Sequence, residues 1–297
     1  MRTGAATLAR TTLLADLVEL TKPRITFMVA VTTAAGFLLA AQDAALAPLL
    51  LFHVLAGTAL VASGAAALNQ VLERDTDARM PRTASRPLPA GRLHPDAALA
   101  WGVGLVLGGL AYLALGVNLL TALVGAASAA LYVFAYTPLK RVSSLSTLVG
   151  AVPGALPPVM GWTAVRDNLD PGAWALFGIL FLWQLPHFLS IAWLYRDDYA
   201  RGGFPMLSVA DPGGHRTARQ AVLYGAALVP VSLLPSVLGL TGTAYFVGAL
   251  GLSLAFLACC AAFAAARSQT RARRLLLASV LYLPAVLLVM LIDRLAG

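Results

Sequence analysis

Three side chains that carry oxygen ligands stand at regular intervals in one part of this 297-residue chain. Asn69, Glu73 and Asp77 are spaced i, i+4 and i+8, so a helix that contains them directs all three along one face. At about 1.5 Å of rise per residue they lie roughly 6 Å apart, close enough for hard cations and a phosphate group to share them. We call these three residues the ladder. Their spacing predicts a Mg²⁺ site, and the alternative is a solvated, salt-bridged helix end.

A second cluster of carboxylates, arginines and aromatic residues occupies the segment from Tyr195 to Met206, where another apolar stretch ends. Carboxylates such as Asp198 favour cations, and arginines such as Arg196 favour anions. Both together at one membrane face suit a magnesium-bound diphosphate. The predicted chemistry is the departure of diphosphate from an allylic carbon, in which metal and arginine charge stabilise the leaving group and the surrounding helices exclude water.

Membrane-spanning helices are the elements that must position these clusters. Of the residues, 59% are hydrophobic and 11% are charged, and the mean hydropathy is +0.80, which is more apolar than a soluble domain of this size. Nine apolar stretches are long enough to cross a bilayer: 25–41, 46–68, 97–117, 119–137, 145–163, 173–194, 221–240, 244–266 and 275–291. The sequence therefore predicts an all-α polytopic membrane bundle, with 1–24 as a cytoplasmic N-terminal segment and 25–297 as one intramembrane domain.

Basic residues predict how this bundle is oriented, because 19 of the 21 Lys and Arg fall at the N-terminus or on alternate connections. By the positive-inside rule the N-terminus is cytoplasmic and, after nine spans, the C-terminus is outside. The net charge of +8 then describes a membrane surface, and no nucleic-acid partner is expected. Arginine predominates among these cations and no transit-peptide-like extension precedes the first span, which favours a bacterial inner membrane over an organelle.

The two clusters and the segments between them resemble the signatures of the UbiA-type intramembrane prenyltransferases, and in particular the branch that modifies heme. The similar segments are the ladder with Met80, Arg82-Thr83 and Arg86-Pro87-Leu88, then Tyr136 to Arg141, Gly150 to Trp162, Trp183 to Phe188, and Tyr195 to Met206. They follow in the family's order over nearly the whole chain from Thr21. Gln70 and Glu73 stand where the wider family usually has Asp, a variation that is typical of the heme-modifying branch.

This resemblance implies that, in a lipid bilayer, a farnesyl group passes from farnesyl diphosphate to a vinyl group of heme b, giving heme O. It implies that the catalytic residues and Mg²⁺ ligands are Asn69, Glu73, Asp77 and Asp198. The implied substrate-binding residues are Arg82, Arg86, Lys140, Arg141, Tyr195, Arg196 and His187. Gly202 occupies the position of a second Asp, which leaves the number of Mg²⁺ ions open. A downstream heme-modifying enzyme or an oxidase assembly protein is a candidate partner.

Several interpretations remain open at this point. His187, inside the sixth span, either ligates heme iron or bonds a backbone carbonyl freed by Pro186. The segment 153–158, rich in Pro and Gly, predicts a break in the fifth span that either lines a prenyl tunnel or permits close helix packing. The aromatic residues Tyr132, Phe134 and Tyr136 fit either a prenyl site or an interfacial belt. Alternative functions are prenyl transfer to a quinone precursor and secondary transport.

Overall fold

The computed structural model describes residues 12–41 and 47–296, and every regular element in these two ranges is helical. In chain order the helices are α1 (Leu13–Leu20), α2 (Pro23–Ala40), α3 (Pro48–Asp77), α4 (Pro95–Gly116), α5 (Leu119–Ala130), α6 (Thr137–Leu139), α7 (Ser146–Ala155), α8 (Pro157–Arg166), α9 (Pro171–Leu194), α10 (Arg196–Gly202), α11 (Leu207–Ala210), α12 (His215–Ser232), α13 (Leu234–Val237), α14 (Thr243–Ala266) and α15 (Gln269–Ala296). A π-helical turn at Leu131–Tyr136 joins α5 to α6.

Nine spans within the described ranges are long and apolar enough to cross a membrane. They are formed by α2, α3, α4, α5 with α6, α7 with α8, α9, α12 with α13, α14, and α15. The predicted number of spans is thus confirmed, and the chain is an integral multi-pass membrane protein. Residues 1–11 of the predicted N-terminal segment, Leu46 at the predicted start of the second span, and Gly297 lie outside the described residues.

Two spans depart from a regular α-helix. In the fifth span α7 ends at Ala155 and α8 begins at Pro157, whose missing N–H interrupts the hydrogen-bond ladder, so the predicted break is confirmed. In the fourth span the helix widens into the π-helical turn, which sequence analysis did not predict. There the hydroxyl of Thr137 donates to the carbonyl of Tyr132 at 2.8 Å. Such turns are frequent at functional sites.

The spans enclose the interior of the bundle unevenly. In one half of the bundle, helices α9, α12, α14 and α15 pack against one another. Buried hydroxyl groups link three of them, since Ser232 bonds Ser253 at 2.8 Å and Ser253 bonds Tyr282 at 2.9 Å. Helices α2, α3, α5, α7 and α9 instead border a cavity of about 420 Å³. A cavity of this size, enclosed by mainly apolar walls, can hold a ligand of the size that pockets usually hold.

Helices α2 and α8 approach so closely that glycine is required at their contact. A Cβ built on Gly161 would lie 1.9 Å from the carbonyl oxygen of Thr33, and one on Gly36 would lie 2.0 Å from that of Pro158. Small residues at such crossings let helix backbones meet in membranes. The contact fixes α8 against the first span and thereby one wall of the cavity.

We expect Gly161→Ala to lower the free energy of unfolding by about 1–3 kcal/mol or more, because the added methyl group meets backbone atoms on both sides. Thermal unfolding in detergent measures this effect. Gly104→Ala is the matched control, since a Cβ on Gly104 meets nothing within 4 Å. Equal melting temperatures for the two variants would contradict the close contact of α2 and α8.

Candidate active site

The ladder forms the last turns of α3, at the end of the second span. The side chains of Asn69, Glu73 and Asp77 are only 2%, 2% and 1% exposed, so the predicted common face is present and points into the protein. Asp75, which sequence analysis left out of the site, points outward with a side chain 74% exposed and pairs with Arg74 at 2.9 Å. The acidic residues of this helix end are therefore divided into a buried row and a solvated pair.

Each residue of the ladder contacts one basic side chain. Lys22 Nζ lies 3.0 Å from Asn69 Oδ1, Lys140 Nζ lies 3.0 and 3.1 Å from the two carboxylate oxygens of Glu73, and Arg86 Nη1 lies 2.6 Å from Asp77 Oδ2. These cations come from three different parts of the chain: the residue before α2, the end of α6, and the α3–α4 connection. Buried carboxylates need such partners, and the result is a row of alternating charge.

The amide of Asn69 is oriented by partners on both sides. Its Oδ1 accepts from Lys22 at 3.0 Å, and its Nδ2 donates to the hydroxyl of Thr137 at 3.1 Å. Thr137 in turn donates to the carbonyl of Tyr132 in the π-helical turn. The irregular turn of the fourth span thus holds the hydroxyl that aligns Asn69, and the amide oxygen faces the basic group.

Lys22 is a site residue that sequence analysis did not identify, because it was counted only as a topology charge. It lies just before the first span in the left-handed backbone region, with φ of 49°. Burial, together with the nearby charge of Arg86, lowers the pKa of Lys22 to about 8, and the charges of Glu73 and Asp77 partly oppose this shift. No local pattern marks this residue, since its contact with Asn69 bridges 47 positions of the chain.

One ladder oxygen is left without a protein partner. Oδ1 of Asp77 is buried and has no hydrogen-bond partner among the described residues. A buried carboxylate oxygen is stabilised when a cation contacts it. In the same described ranges no three His, Cys, Asp or Glu side chains form a group that could hold a metal ion. The buried, unpartnered Oδ1 and the oxygen donors around it fit Mg²⁺, which binds carboxylate oxygens and keeps water and phosphate as its other ligands.

The cavity opens beside the ladder and is mainly apolar inside. Basic and phenolic residues that line it include Lys22, Arg82, Tyr132, Tyr136 and Tyr199. Its apolar lining includes Val61, Met160, Phe188 and Ile191. This arrangement sets cationic groups next to a space that suits a hydrocarbon chain.

The broken fifth span belongs to the cavity wall. Pro153, Gly154 and Pro157 all line the cavity. The same segment is closely packed, because a Cβ on Gly154 would meet Gln184 at 2.3 Å and one on Gly150 would meet Tyr136 at 2.5 Å. The segment thus both lines the cavity and permits close helix packing, and its role in a prenyl tunnel stays a prediction.

The aromatic residues of the fourth span divide between the two roles considered for them. Tyr132 and Tyr136 line the cavity and stack on each other, with ring centroids 5.3 Å apart. Phe134 is 76% exposed and points away from the interior, as expected of a lipid-facing residue. The direction of each side chain decides whether it lines the cavity or faces the lipid.

Comparison with known proteins agrees with this geometry. The model of the UbiA prenyltransferase family matches residues 29–284, a range that includes the ladder and most of the cavity wall. The chain belongs to the UbiA prenyltransferase family. A protoheme IX farnesyltransferase of Solibacter usitatus is 52% identical over 287 residues, which cover 94% of this chain and 98% of the relative.

Solved structures of the UbiA family share the fold of this chain. A digeranylgeranylglyceryl phosphate synthase superposes with a TM-score of 0.79 at 16% identity, covering 96% of this chain and 99% of its own. A UbiA homolog from Archaeoglobus fulgidus, bound to GPP and Mg²⁺, superposes with a TM-score of 0.65 at 15% identity, covering 93% and 99%. At these identities the likeness concerns the fold alone.

The second predicted cluster of this UbiA-family chain contributes Tyr199 and Met206 to the lining of the cavity. Arg82 lies over the rings of Tyr195 and Tyr199, at 5.1 and 5.0 Å from their centroids. Asp198 forms an ion pair with Arg201.

Two predicted phosphate-binding residues lie away from the ladder cations. Arg141 is exposed and donates to the carbonyl of Leu72 on the side of α3. Arg196 stacks over Trp193 at 4.9 Å and, with Arg267, lines a separate hollow of about 330 Å³. Of the arginines and lysines predicted to bind substrate, the structure brings Arg82, Arg86 and Lys140 to the site.

His187 faces the ninth span. Its Nδ1 lies 2.8 Å from the hydroxyl of Ser279, and its ring stacks on Trp183 with centroids 5.3 Å apart. The partner of Nδ1 is thus a side chain of α15 and not the carbonyl considered beside Pro186. The neighbouring Phe188 lines the cavity. Ligation of heme iron by His187 stays a prediction.

Heme titration of His187→Ala tests that prediction. If the imidazole is an iron ligand, the heme absorption spectrum shifts and heme affinity falls by about tenfold or more. Ser279→Ala is the control, because it removes the hydrogen bond to Nδ1 and leaves the imidazole in place. An unchanged spectrum and affinity in His187→Ala would exclude ligation.

Proposed function

We propose that this chain transfers the farnesyl group of farnesyl diphosphate to a vinyl group of heme b, which yields heme O and releases diphosphate. The observation that carries the proposal is a buried row of paired charges at the rim of an apolar cavity. Cations for a diphosphate and space for a prenyl chain are adjacent there. The Solibacter relative is named for transfer of a farnesyl group to protoheme IX, and the Archaeoglobus homolog holds GPP with Mg²⁺.

Lys22, Lys140 and Arg86 are the residues that would receive the diphosphate. Each already contacts the ladder: Lys22 at the neutral amide oxygen of Asn69, Lys140 at the carboxylate of Glu73 and Arg86 at that of Asp77. Phosphate oxygens accept from ammonium and guanidinium groups more strongly than neutral acceptors do. In the reaction the bond between the first farnesyl carbon and oxygen breaks, and its electron pair leaves with the diphosphate. The three cations stabilise that developing charge.

Glu73 and Asp77, together with Asn69, would hold Mg²⁺, and the unpartnered Oδ1 of Asp77 supports this assignment. When bound, Mg²⁺ supplies positive charge that offsets the negative charge of the diphosphate. Asp198 remains a proposed Mg²⁺ ligand, and its carboxylate pairs with Arg201. Helix α3 places the two carboxylates on one face, where both are buried.

The apolar cavity would shield the farnesyl cation from water. Tyr132 and Tyr136 line it with stacked rings, and the faces of aromatic rings attract positive charge. The electron pair of the heme vinyl group forms the new carbon–carbon bond. Water then adds to the resulting cation and loses a proton, which gives the hydroxyethylfarnesyl group. Exclusion of water during the first step favours transfer over hydrolysis.

The same charge pattern supports a location for the site. We place it on the cytoplasmic side of a bacterial inner membrane, because basic residues concentrate on the connections around the ladder. Heme b and farnesyl diphosphate would thus enter from that side or from the bilayer. A downstream heme-modifying enzyme or an oxidase assembly protein stays a predicted partner.

Purified protein supplied with heme b, farnesyl diphosphate and Mg²⁺ provides the test. Mass analysis of the extracted heme is expected to show heme O, and a chelator of Mg²⁺ is expected to stop its formation. Supplying 4-hydroxybenzoate in place of heme tests the rival quinone-precursor function. Prenylated benzoate without any heme O would overturn the proposal.

A further inference from the structure

Gln70 is buried beside the ladder but belongs to a different face of α3. It follows Asn69 by one residue, about 100° around the helix. Its side chain is 2% exposed, and its Nε2 donates to the backbone carbonyl of Leu20 at 2.8 Å. Leu20 is the last residue of α1. This bond therefore connects the helix that carries the ladder to the short helix that precedes the first span.

The turn that follows Leu20 delivers Lys22 to the ladder. Lys22 has a left-handed backbone, which a residue with a Cβ adopts only when its surroundings enforce it. The N–H of Lys22 donates to the carbonyl of Glu19 at 3.2 Å, and the N–H of Ile25 donates to the carbonyl of Lys22 at 2.9 Å. This conformation directs the side chain toward α3, where Nζ reaches Asn69.

Two contacts hold the end of α1 in place. Arg92 pairs with Asp16 at 2.9 Å and with Glu19 at 2.6 Å. Gln70 bonds the backbone carbonyl of Leu20, whose side chain is fully buried. Of these two contacts, the bond from Gln70 lies closer to Lys22 along the chain and is shielded from solvent.

We propose that Gln70 is a positioning residue for the prenyl-transfer site, and that it acts through Lys22. By fixing the α1–α2 turn it sets the Lys22 ammonium beside Asn69, where that group contacts the departing diphosphate of the donor. This inference rests on the proposed function. Gln70 itself touches neither substrate, so its influence is confined to steps that involve Lys22.

A double-mutant cycle tests the coupling. Gln70→Met keeps the side-chain length and removes the donor, and it is expected to lower kcat/KM for farnesyl diphosphate about 10-fold, as outer residues of a site do. KM for heme b should stay unchanged. In a Lys22→Met background the further loss is expected to vanish, because the group that Gln70 positions is already gone.

Gln184 provides a matched control. It is 4% exposed and its Nε2 donates to the carbonyl of Ala151 at 2.7 Å, so Gln184→Met removes the same kind of bond elsewhere. The fold-losses of kcat/KM caused by Gln184→Met and by Lys22→Met should multiply in the double variant, as independent effects do. If the fold-losses of kcat/KM caused by Gln70→Met and Lys22→Met also multiply, the positioning role is wrong. It is equally wrong if Gln70→Met leaves kcat/KM unchanged.

Binding of farnesyl thiodiphosphate, which resists ionisation, gives a readout that does not depend on the acceptor. With Mg²⁺ present, Gln70→Met is expected to weaken the binding of farnesyl thiodiphosphate when Lys22 is intact. In the Lys22→Met background it is expected to leave that binding unchanged. Gln70→Asn, which withdraws the amide by one methylene, replaces Gln70→Met if the latter does not fold. If Gln70 and Lys22 are coupled in binding of the analogue but no heme O forms, only the assignment of heme b as the acceptor is overturned. Independent effects in binding would overturn the role of Gln70.

Discussion

Asp77→Asn is expected to fold normally and to lose prenyl transfer by about 10²- to 10³-fold or more, the loss that follows removal of one preorganised electrostatic contact. The substitution preserves the shape of the side chain and removes the charge that pairs with Arg86 and that is proposed to bind Mg²⁺. Oδ2 of Asp77 contacts Arg86 at 2.6 Å, and Oδ1 has no partner among the described residues. An amide at this position supplies at most one weak ligand oxygen. Asp77→Ala should abolish turnover altogether.

The assay compares heme O formation by the parent and by the variants at equal amounts of folded protein in the membrane. Asp75→Asn is the control, because this carboxylate stands on the same helix with its side chain 74% exposed and pairs with Arg74. We expect Asp75→Asn to retain nearly full activity, since exposed pairs contribute little. A folded Asp77→Ala protein with parental turnover would remove Asp77 from the mechanism.

Lys140→Met is expected to lower stability by about 3–5 kcal/mol and to reduce turnover strongly. Its ammonium contacts both carboxylate oxygens of Glu73, and the two side chains are 10% and 2% exposed. Removing the cation alone leaves a buried carboxylate without a partner, which is much costlier than removing both charges. The missing charge also weakens the hold on the diphosphate.

The double variant Lys140→Met with Glu73→Gln separates these two effects. Thermal unfolding in detergent is expected to show that stability largely returns, because no unpaired charge remains. Turnover should stay low, because both the phosphate-binding cation and a metal ligand are absent. Mg²⁺ should raise the melting temperature of Lys140→Met more than that of the double variant. If the single and double variants melt at the same temperature, the pair does not behave as a buried ion pair.

Sequence periodicity was sufficient for the features that depend on neighbours along the chain. The nine apolar stretches correspond to the nine spans of the described ranges, since the thickness of a bilayer sets their length. The ladder shares one buried face because helical geometry brings residues four apart into register. The break before Pro157 followed from the missing N–H of proline. Family resemblance then supplied the acceptor and the donor.

The direction of individual side chains in irregular segments was beyond such reasoning. Tyr136 lines the cavity and Phe134 faces outward, and both lie within the π-helical turn of the fourth span, which the sequence did not predict. Arg141 and Arg196 were predicted to bind phosphate, but they contact Leu72 and Trp193. In a connection without a regular period, residue type alone does not fix which way a side chain points.

Sequence alone predicted a membrane helix bundle with two carboxylates and an amide on one helical face, and the structure showed that this face is buried. Only the tertiary structure decided which group balances each of them: Lys22 for Asn69, Lys140 for Glu73 and Arg86 for Asp77. The Lys140 contact spans 67 positions and that of Gln70 with Leu20 spans 50. Local periodicity reports the face of a helix, whereas a long-range pair depends on how distant helices pack. The fold therefore decides which basic residue contacts each residue of the ladder.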